Sequence, residues 1–196
     1  MKRLFDLLAA LLGLAVLLLP GLVVAWLIKR DSPGPVFFRQ ERVGRLGRPF
    51  RIHKFRTMRM DAERAGQLTV GTDARITRIG AFLRAHRLDE LPQLIDVLLG
   101  DMSLVGPRPE VPRYVAHYPA ALREVVLSVR PGITDPASLQ FRNEAELLAA
   151  AADPEREYIE VILPKKLACA ADYARQASFL TDLGVVLRTL KVLFTR

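Results

Sequence analysis

Arg87-Leu-Asp-Glu-Leu-Pro-Gln-Leu-Ile-Asp-Val-Leu-Leu-Gly-Asp-Met-Ser-Leu-Val-Gly-Pro-Arg-Pro-Glu110 joins two adjacent carboxylates, a short apolar run and a proline-flanked arginine without a break. Pro92 has no backbone N–H to donate, which costs nothing only in the first turn of a helix. The stretch therefore predicts a helix that begins near Asp89 and runs until Gly100 stops it. Leu91, Leu94, Ile95, Leu98 and Leu99 recur at the spacing of one apolar face, which would anchor the helix. Asp89 and Glu90 then sit at its N-terminus, and because adjacent residues do not share a helix face, they should play different parts. Beyond the helix, Arg108 stands in Gly106-Pro-Arg-Pro109, where the prolines restrict the loop and the glycine lets backbone approach a ligand.

Working back from the acids, residues 75 to 86 predict a helix with Ile76, Ile79 and Leu83 on one side. It would deliver Arg84 and Arg87 to the edge of the Asp-Glu pair. Residues 59 to 74 read as a polar loop long enough to move. Before it, Val36-Phe-Phe-Arg-Gln40 and Phe50-Arg-Ile-His-Lys-Phe-Arg56 read as two strands of a small hairpin around Gly44 and Gly47. In a strand, Lys54 and Arg56 share a face and present paired cations, either to a ligand or simply to solvent.

Residues 7 to 28 carry no charge and are long enough to cross a bilayer as a helix. Lys2 and Arg3 before the run are balanced by Lys29 and Arg30 after it, so the distribution of positive charge gives no orientation. Pro20-Gly21 lies within the run and permits a bend. A spanning helix and a re-entrant one that leaves on the side it entered are both open; a cleaved signal peptide fits less well, because the apolar run continues past Val23-Val-Ala25 into Trp26-Leu-Ile.

Downstream, Arg130-Pro-Gly-Ile-Thr134 is a strong turn signal. Residues 143 to 152 and about 154 to 176 are helical by composition, broken at Asp153-Pro154 and bent at Pro164. At the C-terminal end Leu180, Leu183, Leu187, Leu190 and Phe194 step by threes and fours, with Arg188, Lys191 and Arg196 opposite. That basic amphipathic helix either packs into the core or lies on a membrane beside the first.

The 196 residues suffice for one well-buried domain, and the net charge of +8, mostly arginine, points to a polyanionic partner. Nucleic acid fits poorly, since the few aromatic residues are not interleaved with the cations. The single cysteine, Cys169, excludes an internal disulfide and reads as a small core residue, with no activating neighbour in sequence. Lys54, Arg84, Arg87 and Arg108 can surround a phosphate, which guanidinium groups grip with a planar fork. A carboxylate beside that phosphate needs its repulsion screened, and hard oxygen ligands favour magnesium for this. So screened, Asp89 can attack phosphorus and form an acyl phosphate. The structural alternative is that Asp89 caps the helix and Glu90 complements its dipole.

Arg87-Leu-Asp-Glu-Leu-Pro-Gln-Leu together with Gly100-Asp-Met-Ser-Leu-Val-Gly-Pro-Arg-Pro-Glu110 resembles the bacterial sugar transferases, the monotopic polyprenol-phosphate phosphoglycosyl transferases. Lys54-Phe-Arg-Thr-Met58, Thr77-Arg-Ile-Gly80 and Arg130-Pro-Gly-Ile-Thr134 resemble the same family in the same order, as does the apolar N-terminal segment, so the likeness covers nearly the whole chain. It implies an α+β, mostly helical fold with an N-terminal re-entrant membrane helix (residues 1–30) bent at Pro20, a small β-hairpin, amphipathic interfacial helices and a cytoplasmic catalytic domain (31–196). It implies that Asp89 is the nucleophile, takes the sugar-bearing phosphate of a UDP-sugar, contacts Mg2+ and expels UMP, and that polyprenol phosphate (undecaprenyl phosphate) then collects the phosphosugar. Glu90 would be the partner acid, and Lys54, Arg56, Arg84 and Arg108 the phosphate and nucleotide ligands. Location at the cytoplasmic face of the bacterial inner membrane follows from the same resemblance, with the lipid bilayer a partner and a homodimer left open. Larger members carry further membrane helices and a domain ahead of this unit, so the chain looks like the minimal catalytic form. It departs from the family at Asp135, where a small residue is usual, which leaves the sugar open, and at Leu19, where a serine often precedes the proline.

Overall fold

The structure, a computed structural model, describes every residue except 61, 63–67, 72, 142, 195 and 196, and the side chains of 193 and 194 are likewise outside it. Helix α1, Lys2–Asp31, includes Pro20 without ending there. The missing N–H of Pro20 costs one hydrogen bond, which the leucine- and alanine-rich turns around it outweigh in holding the helix. Both ends of α1 rest on the rest of the chain. At the N-terminal end Asp6, 3% exposed, accepts hydrogen bonds from Ser103 Oγ at 2.8 Å and Leu104 N–H at 3.2 Å, and Arg3 donates to the Val97 carbonyl at 2.7 Å. At the other end Ile28 is buried against Phe55 and Leu83. Between them Leu12, Val16, Leu19 and Val23 stand more than half exposed.

The expected hairpin forms, in two ladders. Strands β1 (Phe37–Phe38) and β4 (Lys54–Phe55) pair antiparallel, as do β2 (Glu41–Val43) and β3 (Pro49–Arg51), with Phe38 opposite Lys54 and Arg42 opposite Phe50. Where the ladders meet, Arg39 and Arg51 each donate a guanidinium N–H to the other's carbonyl at 2.9 Å, beside a backbone bond from Ile52 N–H to the Gln40 carbonyl at 3.1 Å. Helix α2, Arg78–Ala85, starts later than residue 75 because Thr77 caps it, its Oγ1 accepting from Gly80 N–H at 3.0 Å. The loop expected over 59–74 lies partly outside the described residues.

Helix α3, Gln93–Leu99, ends at Gly100, whose φ of +95° only glycine adopts without strain. Its apolar face is narrower than the leucine spacing suggests: Leu94 and Val97 are buried against Ala10 and Met102, whereas Leu99 is 68% exposed. Strand β5, Ser103–Val105, follows; α4, Pro112–Val115, and α5, Ala120–Leu127, lead to β6, Gly132–Thr134, which pairs parallel to β5. The segment read as a turn, Gly132-Ile-Thr134, is thus a strand, because it pairs with β5. A Cβ on Gly132 would meet Gly106 N at 2.0 Å and one on Gly106 would meet the Arg130 carbonyl at 2.2 Å, so only glycines let these backbones cross.

Short helices α6 (Pro136–Gln140), α7 (Glu144–Ala149) and α8 (Pro154–Glu157) precede a π-helical turn, Tyr158–Ile162, and α9, Leu163–Gln176. Pro164 falls in the first turn of α9, directly after the π turn, where its missing N–H is tolerated. Val111, Tyr114, Leu148, Tyr158, Leu163 and Leu167 form the main core beside these helices. Helix α10, Phe179–Phe194, turns Asp182 and Val185 inward, while Leu180, Leu183, Leu187 and Leu190 face outward at 76%, 36%, 59% and 44% exposure. The leucine stripe is therefore not core packing. Phe179 meets Phe5 of α1 edge to face at 5.4 Å, so the two exposed apolar surfaces adjoin. The architecture is α+β and mostly helical, as expected.

Candidate active site

The two acids do not open an α-helix directly. Arg87, at φ +56°, breaks the chain out of α2, and Leu88–Glu90 form a single 3-10 turn ahead of α3. Within this turn Asp89 and Glu90 meet on the same cation. Lys54 Nζ lies 2.8 Å from Asp89 Oδ2 and 3.3 Å from Glu90 Oε1. Asp89 is 3% exposed and Glu90 8%, so both are carboxylates that need partners.

Their division of labour lies in who else holds them. Arg108 grips Glu90 with both guanidinium nitrogens, Nη1 reaching Oε2 at 3.2 Å and Nη2 closing on Oε1. Burial alone would push the Glu90 carboxyl up, but Arg108 and Lys54 outweigh it and hold it well below the usual carboxylate range; reciprocally, the Glu90 charge pushes the Arg108 guanidinium up. Asp89, by contrast, has only Lys54 as an ion-pair partner among the described residues. One acid is locked and the other is available.

Arg84 is held close by Thr57 Oγ1 at 2.9 Å and Thr69 Oγ1 at 3.1 Å. Burial lowers its guanidinium pKa, and the Asp89 charge acts in the opposite direction. Arg56 goes elsewhere. It donates to the carbonyls of Ser32, at 2.6 Å, Ile28 and Pro33, closing the C-terminal end of α1. Lys54 and Arg56 lie on one strand face only in an unbroken strand, and β4 ends at Phe55, so the expected cation pair is split. Pro20 is exposed in the middle of α1.

Sequence reasoning passed over several supports. The Arg108 loop is fixed at Glu110, which is approached from the core by Tyr158 Oη at 2.5 Å and Lys166 Nζ at 3.7 Å and from β2 by Arg42 at 3.8 Å. Arg42 also donates to the Pro109 carbonyl at 3.0 Å. These residues come from β2, the π turn and α9, which only the fold brings together, and no local spacing could have flagged them. Asp135 is 2% exposed and caps α6, accepting from Ser138 N–H at 2.8 Å and Oγ at 2.6 Å. Burial pushes the Cys169 thiol up, which suits a structural cysteine.

The donor set also bears on a metal. Among the described residues no three His, Cys, Asp or Glu side chains gather as a cation cage. Asp89 does offer hard oxygens, and magnesium characteristically takes one or two carboxylates and completes its shell with substrate phosphates and water. The residues fit that mode of binding and not a dedicated protein cage.

A profile of the bacterial sugar transferases matches residues 1–196. The chain belongs to the bacterial sugar transferase family. Among similar members, the UDP-glucose:undecaprenyl-phosphate glucose-1-phosphate transferase of Caulobacter vibrioides is 42% identical over 99% of this chain and 70% of its own length. The UDP-N-acetylgalactosamine-undecaprenyl-phosphate N-acetylgalactosaminephosphotransferase of Aeromonas hydrophila is 38% identical over 99% of this chain and 44% of its own. The UDP-glucose:undecaprenyl-phosphate glucose-1-phosphate transferase of Escherichia coli K12 is 35% identical over 97% of the chain and 39% of its own length. The sugar transferase chain thus spans less than half of two of these relatives, and their names carry different sugars.

Proposed function

We propose that this chain transfers a phosphosugar from a UDP-sugar to undecaprenyl phosphate at a membrane surface, by way of an aspartyl-phosphosugar on Asp89. The observation that carries the reading is the unequal holding of the two acids: Glu90 is gripped by Arg108 and also meets Lys54, while among the described residues Asp89 has Lys54 alone as an ion-pair partner. In the first half-reaction an Asp89 oxygen forms a bond to the sugar-bearing phosphorus as the bond from that phosphorus to the bridging oxygen breaks, and UMP leaves with the electron pair. In the second, a phosphate oxygen of undecaprenyl phosphate attacks the same phosphorus and Asp89 departs as carboxylate. Lys54 keeps the nucleophile oriented and offsets charge beside it, and Arg108 and Arg84 supply fixed positive charge for the transferring and leaving phosphates. Mg2+, held by Asp89 and the substrate phosphates, would screen the repulsion between carboxylate and diphosphate.

The same reading puts α1 in the bilayer as a re-entrant element with the domain on the cytoplasmic face. Support comes from α1 itself, a helix long and apolar enough to cross a membrane whose two ends nonetheless both dock on one domain. The outward leucines of α10 beside Phe5 extend that apolar surface. Leu183→Glu with Leu187→Glu should leave a single turnover of UMP release intact and slow transfer to undecaprenyl phosphate in vesicles by about tenfold or more, since burying each leucine is worth roughly 1.5–3 kcal/mol. Equal slowing of both steps would argue against lipid contact by α10.

The decisive experiment incubates the purified protein with a panel of UDP-sugars and Mg2+ but no lipid acceptor, and searches for a phosphosugar on the peptide containing Asp89 by mass spectrometry. The expected result is one adduct, on Asp89, formed with one donor or a few and discharged by undecaprenyl phosphate. UMP release with no adduct on any peptide would overturn the covalent mechanism.

A further inference from the structure

Asp96 is wholly buried, 0% exposed, and lies seven residues, about two turns, beyond Asp89. A carboxylate in such a place must be satisfied internally, and among the described residues its side chain bonds to His53. Asp96 Oδ2 accepts from the His53 backbone N–H at 2.8 Å and Oδ1 pairs with His53 Nδ1 at 2.6 Å. His53 falls between the two ladders of the hairpin, so its N–H goes to Asp96. The next residue is Lys54, the cation shared by Asp89 and Glu90.

Strand β4 is two residues long and holds Lys54 through little pairing of its own. The lysine stem is flexible, so where its backbone sits decides which acid its ammonium meets. The face of His53 packs edge-on to Phe37, at 6.2 Å between centroids, which fixes the ring as well as the backbone. One carboxylate inside α3 therefore grips the strand whose lysine serves the two carboxylates just before α3.

We propose that Asp96 and His53 are positioning residues for the first half-reaction: their two-point tie holds Lys54 against the Asp89–Glu90 pair. The inference rests on the phosphosugar-transfer reading above. Its mechanism is a tie by hydrogen-bond geometry and not by charge, which makes the two obvious variants of Asp96 behave differently. Asp96→Asn keeps both contacts if His53 takes the tautomer that leaves Nδ1 unprotonated: the new amide oxygen accepts the backbone N–H and the amide N–H donates to Nδ1. Asp96→Ala keeps neither.

The test compares Asp96→Ala, Asp96→Asn and His53→Phe with the full chain in two measurements. The first is the single-turnover rate of UMP release at saturating UDP-sugar. The second is acylation of Lys54 by an amine reagent relative to Lys165 and Lys166, read by mass spectrometry and independent of turnover. Asp96→Ala should slow UMP release about tenfold to hundredfold, the range a misplacement near 1 Å produces, with KM for the UDP-sugar little changed, and should raise Lys54 labelling several-fold while the other lysines stay as they were. Asp96→Asn should restore both readouts to within about threefold of the unmodified chain. His53→Phe, which keeps a ring beside Phe37 and the backbone donor, should fall between, and it carries the test should Asp96→Ala not fold. A rate for Asp96→Asn as low as that for Asp96→Ala would overturn the proposal, because charge would then be what matters. So would unchanged Lys54 labelling in Asp96→Ala and His53→Phe, or labelling that rises at every lysine alike. Absence of UMP release from the unmodified chain would instead sink the transfer reading, and the labelling pattern would decide the tie by itself.

Discussion

Asp89→Asn is expected to release UMP from a UDP-sugar at a rate lower by on the order of 10⁵-fold, the scale of loss when a covalent nucleophile is removed. The substitution isolates chemistry from structure. Asparagine has the size of aspartate and fits the same 3-10 turn, and Lys54 keeps Glu90 as a partner at 3.3 Å. Folding should therefore be nearly untouched, with a melting temperature within a few degrees of the unmodified chain, because the locked ion pair of Glu90 and Arg108 does not involve Asp89. Turnover within tenfold of normal in Asp89→Asn would remove Asp89 from the role of nucleophile. Glu90→Gln provides the contrast: it loses charge at the grip of Arg108, so it should lower both activity and stability, where Asp89→Asn lowers activity alone.

That contrast is only half visible in the sequence. Gly100 correctly ends a short helix, since a glycine at positive φ is a local requirement that any fold must honour, whereas the α-helix starts at Gln93, just after Pro92, and not near Asp89. The hairpin is legible for the same reason. What spacing cannot supply is direction. Adjacent acids on an ideal helix point apart, but Arg87 in the left-handed region forces a tight turn in which Asp89 and Glu90 converge on Lys54. Arg56 looks equivalent to Lys54 until the strand ends between them and sends it to the carbonyls of α1. The leucines of α10 have a clear period, yet the buried side of that helix is the one bearing Asp182, because its carboxylate is satisfied by Tyr173 Oη at 2.5 Å and by Lys2. In each case the undecided quantity is a partner on another element, and partners supplied by the fold leave no mark on local periodicity.

Arg108→Leu is expected to be the most damaging single change to stability in the site. It leaves the buried Glu90 carboxylate with Lys54 alone, and breaking one side of a buried ion pair costs about 3–5 kcal/mol because the remaining charge stays desolvated. The pH dependence follows from direction. In the intact chain Glu90 sits well below its ordinary pKa, as Arg108 and Lys54 outweigh burial. It therefore contributes stability that is fully present above the unfolded carboxylate value, about 4.3, and that is lost only as pH falls through the lower folded value. Removing Arg108 lets burial prevail, so the folded carboxyl moves toward or above its unfolded value and ionisation ceases to favour folding. The stability gap between Arg108→Leu and the unmodified chain should thus be full near pH 7 and narrow as pH falls below about 4.3, through the lower folded value of Glu90 in the intact chain. Thermal unfolding in nanodiscs across that range measures it, and a gap that stayed constant or widened on acidification would show that Arg108 acts by packing and not through Glu90. The double variant Arg108→Leu with Glu90→Gln should recover much of the lost stability, because the stranded charge is gone, but none of the activity, because the transferring phosphate still lacks its guanidinium. Recovery of stability without activity is the outcome that separates the observed duty of Arg108, neutralising the locked acid, from the proposed one, presenting to the substrate the positive charge that lock holds in place.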